Sequence, residues 1–417
     1  MSIADRYGLV LSTSSQAAAE RYQTGVDLML AAWPGANEAL EAALTADPSF
    51  ALAHAARARL HAMRGQIEHA KGSIELSRQW VVKVGNERER SHVHVLSLAI
   101  GGQSAQALDC ALAHVERWPT DVIIFSLPLG AFGLFAFSGR DDHDQARVTL
   151  CERHARHFSH DDWWFTGYRG WAHGENGNLV RARELTERSL QLRIKNANAF
   201  HAHVHVLHES GLHADITQAI DGWLPEYDRA GVLHGHIAWH AALGALAQGR
   251  HEQALSIYSN SVAPDVSAGV PLNIITDGAS LLWRLSLGGI DHPRTLWTEL
   301  AAYAQPYFQG AGFAFADLHM AILSAATGDR AAVEQRIAAL DEQLLRGSLA
   351  AGRVAPELCR AMLAFAEGRY EACLRTLQGV ANEVVRIGGS GAQREIVQQT
   401  LIESLRRTTE PAVHARA

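Results

Sequence analysis

Residues 99–121 read AIGGQSAQALDCALAHVERWPTD. Ala99 and Ile100 end one apolar helical run. Gly101-Gly102 then turns the chain. A second helical run follows with small Ala105 and Ala107 near its start, and Trp118-Pro119 stops it. Glycine suits a tight helix-to-helix turn because it takes positive φ without a steric penalty. A small residue shortly after the turn lets the second helix lie close on the first. The same scheme recurs in AQGRHEQALSIYSNSVAP (247–264) with Ala254, and in AEGRYEACLRTLQG (366–379) with Ala372.

Outward from these stretches, helical runs end at Gly65, Gly102, Gly139, Gly177, Gly211, Gly249, Gly288, Gly328 and Gly368. The steps between them are 37, 37, 38, 34, 38, 39, 40 and 40 residues. A period of about 34–47 residues marks stacked helix pairs. A generic helical bundle has no reason to space its glycines so evenly. The expected fold is therefore all-α: a TPR-like (tetratricopeptide) α-solenoid, a right-handed superhelix of about nine helix pairs. Neighbouring repeats bury one continuous core, so residues 1–417 are expected to form a single domain. Residues 391–407 are expected to be a C-terminal capping helix within it. Ser261–Leu272 and Gln305–Phe313 read as loops over the open end of the groove. The uncharged run Val122–Phe137 holds Pro128, Gly130 and Gly133 and reads as a buried helix. It is shorter than the roughly 20 residues that a membrane span needs.

Composition narrows the function. Hydrophobic residues are 47% and charged residues 19%, which excludes wholesale disorder. The 37 Lys and Arg against 44 Asp and Glu leave a net charge of −7. That balance opposes sequence-independent binding to nucleic acid and to anionic lipid. Cys110, Cys151, Cys359 and Cys373 contain no C-x-x-C pair, so neither a zinc ribbon nor a disulfide framework is expected. Met1–Tyr7 lacks a basic region followed by an apolar core, so no signal peptide is expected and the chain reads as cytoplasmic.

In stacked helix pairs, the first helix of each pair lines the concave face. His54, His92, His201, His240, Asp277 and His319 lie 11, 10, 10, 9, 11 and 9 residues before their glycines. They form a polar line at one level of the inner helices. The line has two readings: a ligand-binding surface, or hydrogen-bonded histidines that fill a narrow bore. The densest stretch is HAHVHVLHE (201–209). Positions i, i+4 and i+7 share a helix face, so His201, His205 and His208 project together with Glu209 beside them. The next repeat adds His236 and His240, with Trp239 between them. Imidazoles at this density are ligands for Zn and other divalent transition metals. His201, His205, His236 and His240 are the candidate metal ligands. His205, Glu209, His240, Asp317 and His319 are the candidate catalytic groups. His54, His92, Trp239, Asp277, Arg284, Gln393 and Arg394 are the candidate ligand-binding groups.

Other templates fit poorly. H-E-x-x-H is absent, because position 212 is Leu. No P-loop or strand-borne G-x-G-x-x-G is present, and GGSGAQRE (388–395) is not G-x-S-x-G. Ser390 there reads as an ordinary N-cap ahead of an anion site. Trp163, Trp164, Tyr168 and Trp171 have helical spacing and read as core packing.

These segments also resemble a known family, from end to end. LSTSSQAA (11–18), ADPSFALAHA (46–55), RERSHVHV (88–95), HIAWH (236–240), LNIITDGASLLWRL (272–285), FADLH (315–319) and GGSGAQRE (388–395) follow, in order, motifs similar to those of the tetratricopeptide repeat protein 38 family. The resemblance places His54, Glu89, His92, His236, Trp239, His240, Asp277, Arg284, Asp317, His319, Ser390, Gln393 and Arg394. It departs where His208 stands in the place of an acid, a role Glu209 would take. It implies a TPR-like superhelix and no particular activity.

Two functions follow. One is a small-molecule or peptide site in the His-lined groove, with hydrolysis by a metal-bound water or a histidine base as the expected chemistry. The other is a non-catalytic scaffold that binds a partner's peptide. Homodimerisation through an apolar edge is a further expectation.

Overall fold

A computed structural model of the chain describes residues 3–409. Met1, Ser2 and residues 410–417, included in the expected single domain, lie outside the described residues. The described chain is all-helical, with one isolated bridge between Ala4 and Val10. No helix among the described residues is long and apolar enough to cross a membrane.

The helices follow in pairs. They are α1 (Gln16–Leu30) with α2 (Ala36–Ala46), α3 (Ala51–Met63) with α4 (Ile67–Val84), and α5 (Glu87–Ile100) with α6 (Ser104–Arg117). The short α7 (Val122–Ser126) and α8 (His143–His154) interrupt this order. Pairing resumes with α9 (Trp163–Glu175) and α10 (Leu179–Leu192), α11 (Ala197–Glu209) and α12 (His213–Trp223), and α13 (His234–Ala247) and α14 (His251–Ile257). It continues with α15 (Pro271–Leu287) and α16 (Thr295–Ala304), α17 (Ala314–Thr327) and α18 (Arg330–Leu345), and α19 (Val354–Ala366) and α20 (Tyr370–Val380), then α21 (Gly391–Thr409). Partners pack on each other in nine pairs, and the first helices of successive pairs also pack, from α9 through α11, α13, α15 and α17 to α19. The first helices are therefore buried on several sides, while the second helices keep exposed outer faces.

Eight of the nine spaced glycines have φ between 69° and 86°. The exception is Gly288, at φ −73°; the left-handed residue of that turn is its neighbour Gly289, at 66°. Asparagine and aspartate start several inner helices. Asp162 Oδ1 accepts from the Phe165 amide at 2.8 Å and Asn196 Oδ1 from the Ala199 amide at 3.1 Å, each satisfying an otherwise orphan donor.

One expectation needs correction. Val122–Phe137 is not one buried helix: only Val122–Ser126 is helical, and turns follow to Ser138. Pro128 cannot donate in a helix, and Gly130 and Gly133 favour turns. Its first half is buried, and Gly130–Leu134 and Phe137 are half-buried on a cavity wall, so the lack of charge does not require a helix. The last helix does more than cap. α21 packs on α19 and α20 and also reaches α11 and α15. Trp283 Nε1 donates to Thr400 Oγ1 at 2.9 Å, and Arg284 Nη2 to the Ala392 carbonyl at 2.8 Å. Its buried face is mainly small and polar (Ala392, Gln393, Thr400 and Ser404), which lets it lie inside rather than over an end.

Segments far apart in the sequence also make direct contact. The Ala197 amide donates to the Ala31 carbonyl at 2.9 Å, and Tyr227 Oη to the Ala32 carbonyl at 2.6 Å. On another side His143 Nε2 donates to the Val385 carbonyl at 3.0 Å, and Arg386 Nη1 to the Gly139 carbonyl at 3.0 Å. Ser261–Leu272 and Gln305–Phe313 contribute to the wall of a cavity, as loops largely do, through Val270, Pro271, Tyr307 and Phe308. All four cysteines are free.

Candidate functional site

α11 and α13 lie side by side in the inner layer, so their i, i+4 histidines face each other. His201, His205, His236 and His240 bring one ligand atom each to within 4.8 Å of the others. A tetrahedral ion with bonds of about 2.0–2.1 Å needs nitrogens about 3.3 Å apart, so small side-chain rotations close the set. His201 Nε2 and His205 Nε2 are 2.8 Å apart, a hydrogen bond between two imidazoles.

The outer nitrogens are backed by carboxylates. His236 Nδ1 meets Asp277 Oδ2, from α15, at 2.7 Å. His205 Nδ1 lies 3.2 Å from Glu175 Oε1, at the end of α9. The Asp277 contact holds the proton of His236 on Nδ1 and leaves its Nε2 lone pair facing the other imidazoles, whereas Glu175 lies beside His205 without a hydrogen bond to it. Neither ring nitrogen of His240 has a hydrogen-bond partner among the described residues. Trp171 stacks on His201 at 5.7 Å and 23°, and Trp239 on His236 at 5.4 Å and 12°, which fixes the ring planes.

Burial, reinforced by the neighbouring imidazoles, holds His201, His205 and His240 well below the ordinary histidine range. Two unit charges about 4 Å apart repel by about 4 kcal/mol at an effective dielectric of 20, which favours the neutral form of these three rings. Neutral, converging imidazoles are the form a metal requires. Burial and the Asp144 carboxylate push Glu175 above the ordinary range.

A cavity of about 740 Å³ opens beside the cluster. His201, His236 and Gln393 are part of its wall, with Trp163, Trp164, Tyr168 and Trp171. The aromatic set thus serves two purposes: Trp164 is in the core, 1% exposed, and the set also faces the cavity. Trp171 Nε1 donates to the Leu129 carbonyl at 2.9 Å, which ties the site to the turn-rich stretch after α7.

The other polar residues of the sequence pattern lie elsewhere. His54 Nε2 meets the Pro48 carbonyl at 2.9 Å and holds the turn before α3. His92 belongs to a separate knot. Its Nδ1 lies 3.0 Å from both oxygens of Asp121, which also takes Arg88 Nη1 at 2.6 Å and has His114 Nε2 at 3.3 Å. Burial alone raises the Asp121 carboxyl, but His92, Arg88 and His114 reverse this and hold it well below the usual range. Beside it, buried Glu89 accepts from the Ser12 amide at 2.9 Å and the Asn86 amide at 3.1 Å. Asp317 pairs with Arg336 and accepts from the Gly312 amide at 2.9 Å. His319 Nδ1 donates to the Phe315 carbonyl at 2.8 Å, and burial pushes its pKa down to about 4. Neither belongs to the four-histidine cluster.

Arg284 lies 5.6 Å over the Trp239 ring and holds α21 through the Ala392 carbonyl. Arg394 is engaged by the Gly389 carbonyl at 2.6 Å and Asp144 Oδ2 at 3.2 Å. Ser390 is an N-cap: Gln393 N donates to its Oγ at 3.3 Å, and its own amide donates to Gln393 Oε1 at 3.1 Å. Glu209 ends α11, exposed as a residue, and is not one of the four converging groups; burial and the nearby Glu175 raise its carboxyl. Glu175 is the acid at His205 instead. It was not evident in the sequence because it lies two residues before Gly177, outside the level of the polar line. Its second oxygen accepts from the Gly391 amide at 2.9 Å. No family model matches the chain.

Proposed function

We propose that the chain is a TPR-like superhelix of the tetratricopeptide repeat protein 38 type that holds one divalent transition metal on His201, His205, His236 and His240 and binds a small molecule in the cavity beside it. The observation that carries this is the convergence of four imidazoles within 4.8 Å with carboxylates behind two of them. All-nitrogen donors suit Zn first, with Fe, Cu and Ni as competitors. When bound, such an ion supplies a Lewis acid, and hydrolysis is the reaction class it serves most directly. Asp277 orients the His236 ring, Trp171 and Trp239 hold ring planes, and the apolar wall excludes bulk water. The peptide-scaffold reading has no comparable observation behind it.

Elemental analysis of untagged protein before and after chelator dialysis tests the reading. About one equivalent of Zn, Fe, Ni or Cu per chain, lost with the chelator and with a lowered melting temperature, is the expected result. Below roughly a tenth of an equivalent, with no metal-dependent melting shift, the metal reading fails. A loaded protein would then be screened on esters, amides and phosphates.

A further inference from the structure

Arg59 is a cation without an anion. It lies on α3 and forms part of the cavity wall. Its Nη2 donates to Ser126 Oγ at 2.9 Å, its one hydrogen bond among the described residues. Its Nε is sealed from solvent with no partner. Arg59 is half-buried, and other arginines buried as much or more have carboxylates: Arg88 has Asp121, Arg147 has Asp144, Arg336 has Asp317, and Arg284 has Glu395 at 3.8 Å. Arg59 forms no ion pair among the described residues.

Its surroundings fit an incoming anion. No Asp or Glu is part of the cavity wall, although the chain as a whole carries −7. Arg64, five residues on, is also on the wall and unpaired among the described residues. Tyr168 is on the wall too, its hydroxyl makes no hydrogen bond among the described residues, and it is near enough to feel the Arg59 charge. The rest of the nearby wall is apolar: Leu60, Leu96, Ile100, Phe132, Leu134 and Trp164. An unpaired guanidinium in such a wall is unfavourable until a negative group arrives.

We infer that Arg59, assisted by Tyr168, anchors the head of an amphiphilic carboxylate whose apolar body fills the cavity. The planar fork of arginine matches a carboxylate with two parallel hydrogen bonds, and a tyrosine hydroxyl adds a third donor. The cavity is of the size that buries a small organic ligand. His201 and His236 belong to the same wall, so the bound body lies alongside the proposed metal centre. The inference rests on the cavity half of the proposed function and not on the metal.

Titration calorimetry with decanoate, decanol and decyltrimethylammonium tests it, on protein as purified and after chelator treatment. Decanoate is expected to bind at one site at least tenfold more tightly than decanol, and the ammonium more weakly than either. Arg59→Met is expected to lose that tenfold for decanoate and leave decanol unchanged. It is also expected to melt higher than wild type without ligand, whereas removal of a structural arginine would lower the melting point. Tyr168→Phe, which keeps the ring, is expected to weaken decanoate alone and serves if Arg59→Met fails to fold. Equal affinity for decanoate and decanol overturns the inference, as does unchanged decanoate affinity in both variants. Decanoate binding that survives the chelator in a protein with no metal leaves this inference standing while the metal reading falls. Metal retained without decanoate selectivity does the reverse.

Discussion

Two buried histidine–carboxylate clusters among the described residues are inside-out versions of each other. Around Asp121, the carboxylate is central and His92, His114 and Arg88 point their donors at it. Around His205 and His240, the imidazoles are central, and Glu175 and Asp277 stand behind them. Residue types and burial are nearly the same. The first arrangement has spent its negative charge on Arg88 and on imidazole donors, and it ties α5 and α6 to the start of α7. The second gathers lone pairs with no cation of its own. The direction of the lone pairs, rather than the presence of histidine, separates a structural knot from a candidate metal site.

The largest expected effect removes the centre of the second cluster. His205→Ala with His240→Ala should take metal content from about one equivalent to below roughly a tenth by elemental analysis. His114→Asn, in the first cluster, should leave it unchanged, and an equal loss in both would break the contrast. Next, Asp121→Asn removes the charge that three donors share. It should cost about 3–5 kcal/mol in urea unfolding, as expected for a broken buried pair, with metal per folded chain unaltered. Asp277→Asn should instead weaken metal by about 10–100-fold in a chelator competition. A large loss of stability with no change in metal affinity would show that Asp277 belongs to a knot of the first kind.

A further effect is a pH slope. The folded pKa values of His92, His201, His205, His240 and His319 all lie below the ordinary value, with burial the leading cause. The unfolded chain then binds more protons, so their contribution is complete above about pH 6.5 and is lost as pH falls. Each neutral histidine adds roughly 1.4 kcal/mol per pH unit to that slope. For His319 the loss ends near its folded value of about 4. His319→Gln should flatten the urea-midpoint profile between those limits, and an unchanged profile would contradict a neutral His319.

Much of the scaffold was legible in the sequence, because a tight turn between packed helices demands positive φ and a small residue nearby. Gly102 with Ala107 and Gly249 with Ala254 announce their turns locally. The site was half legible. Helical spacing brought His201 to His205 and His236 to His240, and the polar line included Asp277. The same line included His54, His92 and His319, which make other bonds, because burial of the inner helices on several sides makes each register position polar for its own reason. Glu175 and Arg59 were not legible. Their meaning comes from what lies across from them, the Gly391 amide and His205 for one and an acid-free wall for the other.

The bonds between distant segments also bear on how the molecule is made. Neighbouring helix pairs form through short-range contacts and can grow in either direction along the array. The Glu175 contact to Gly391 spans 216 residues, the His143 contact to Val385 spans 242, and the Tyr227 contact to Ala32 spans 195. Contacts of such separation form slowly. Glu175, beside His205, therefore gains its Gly391 partner only once α21 has been synthesised and docked.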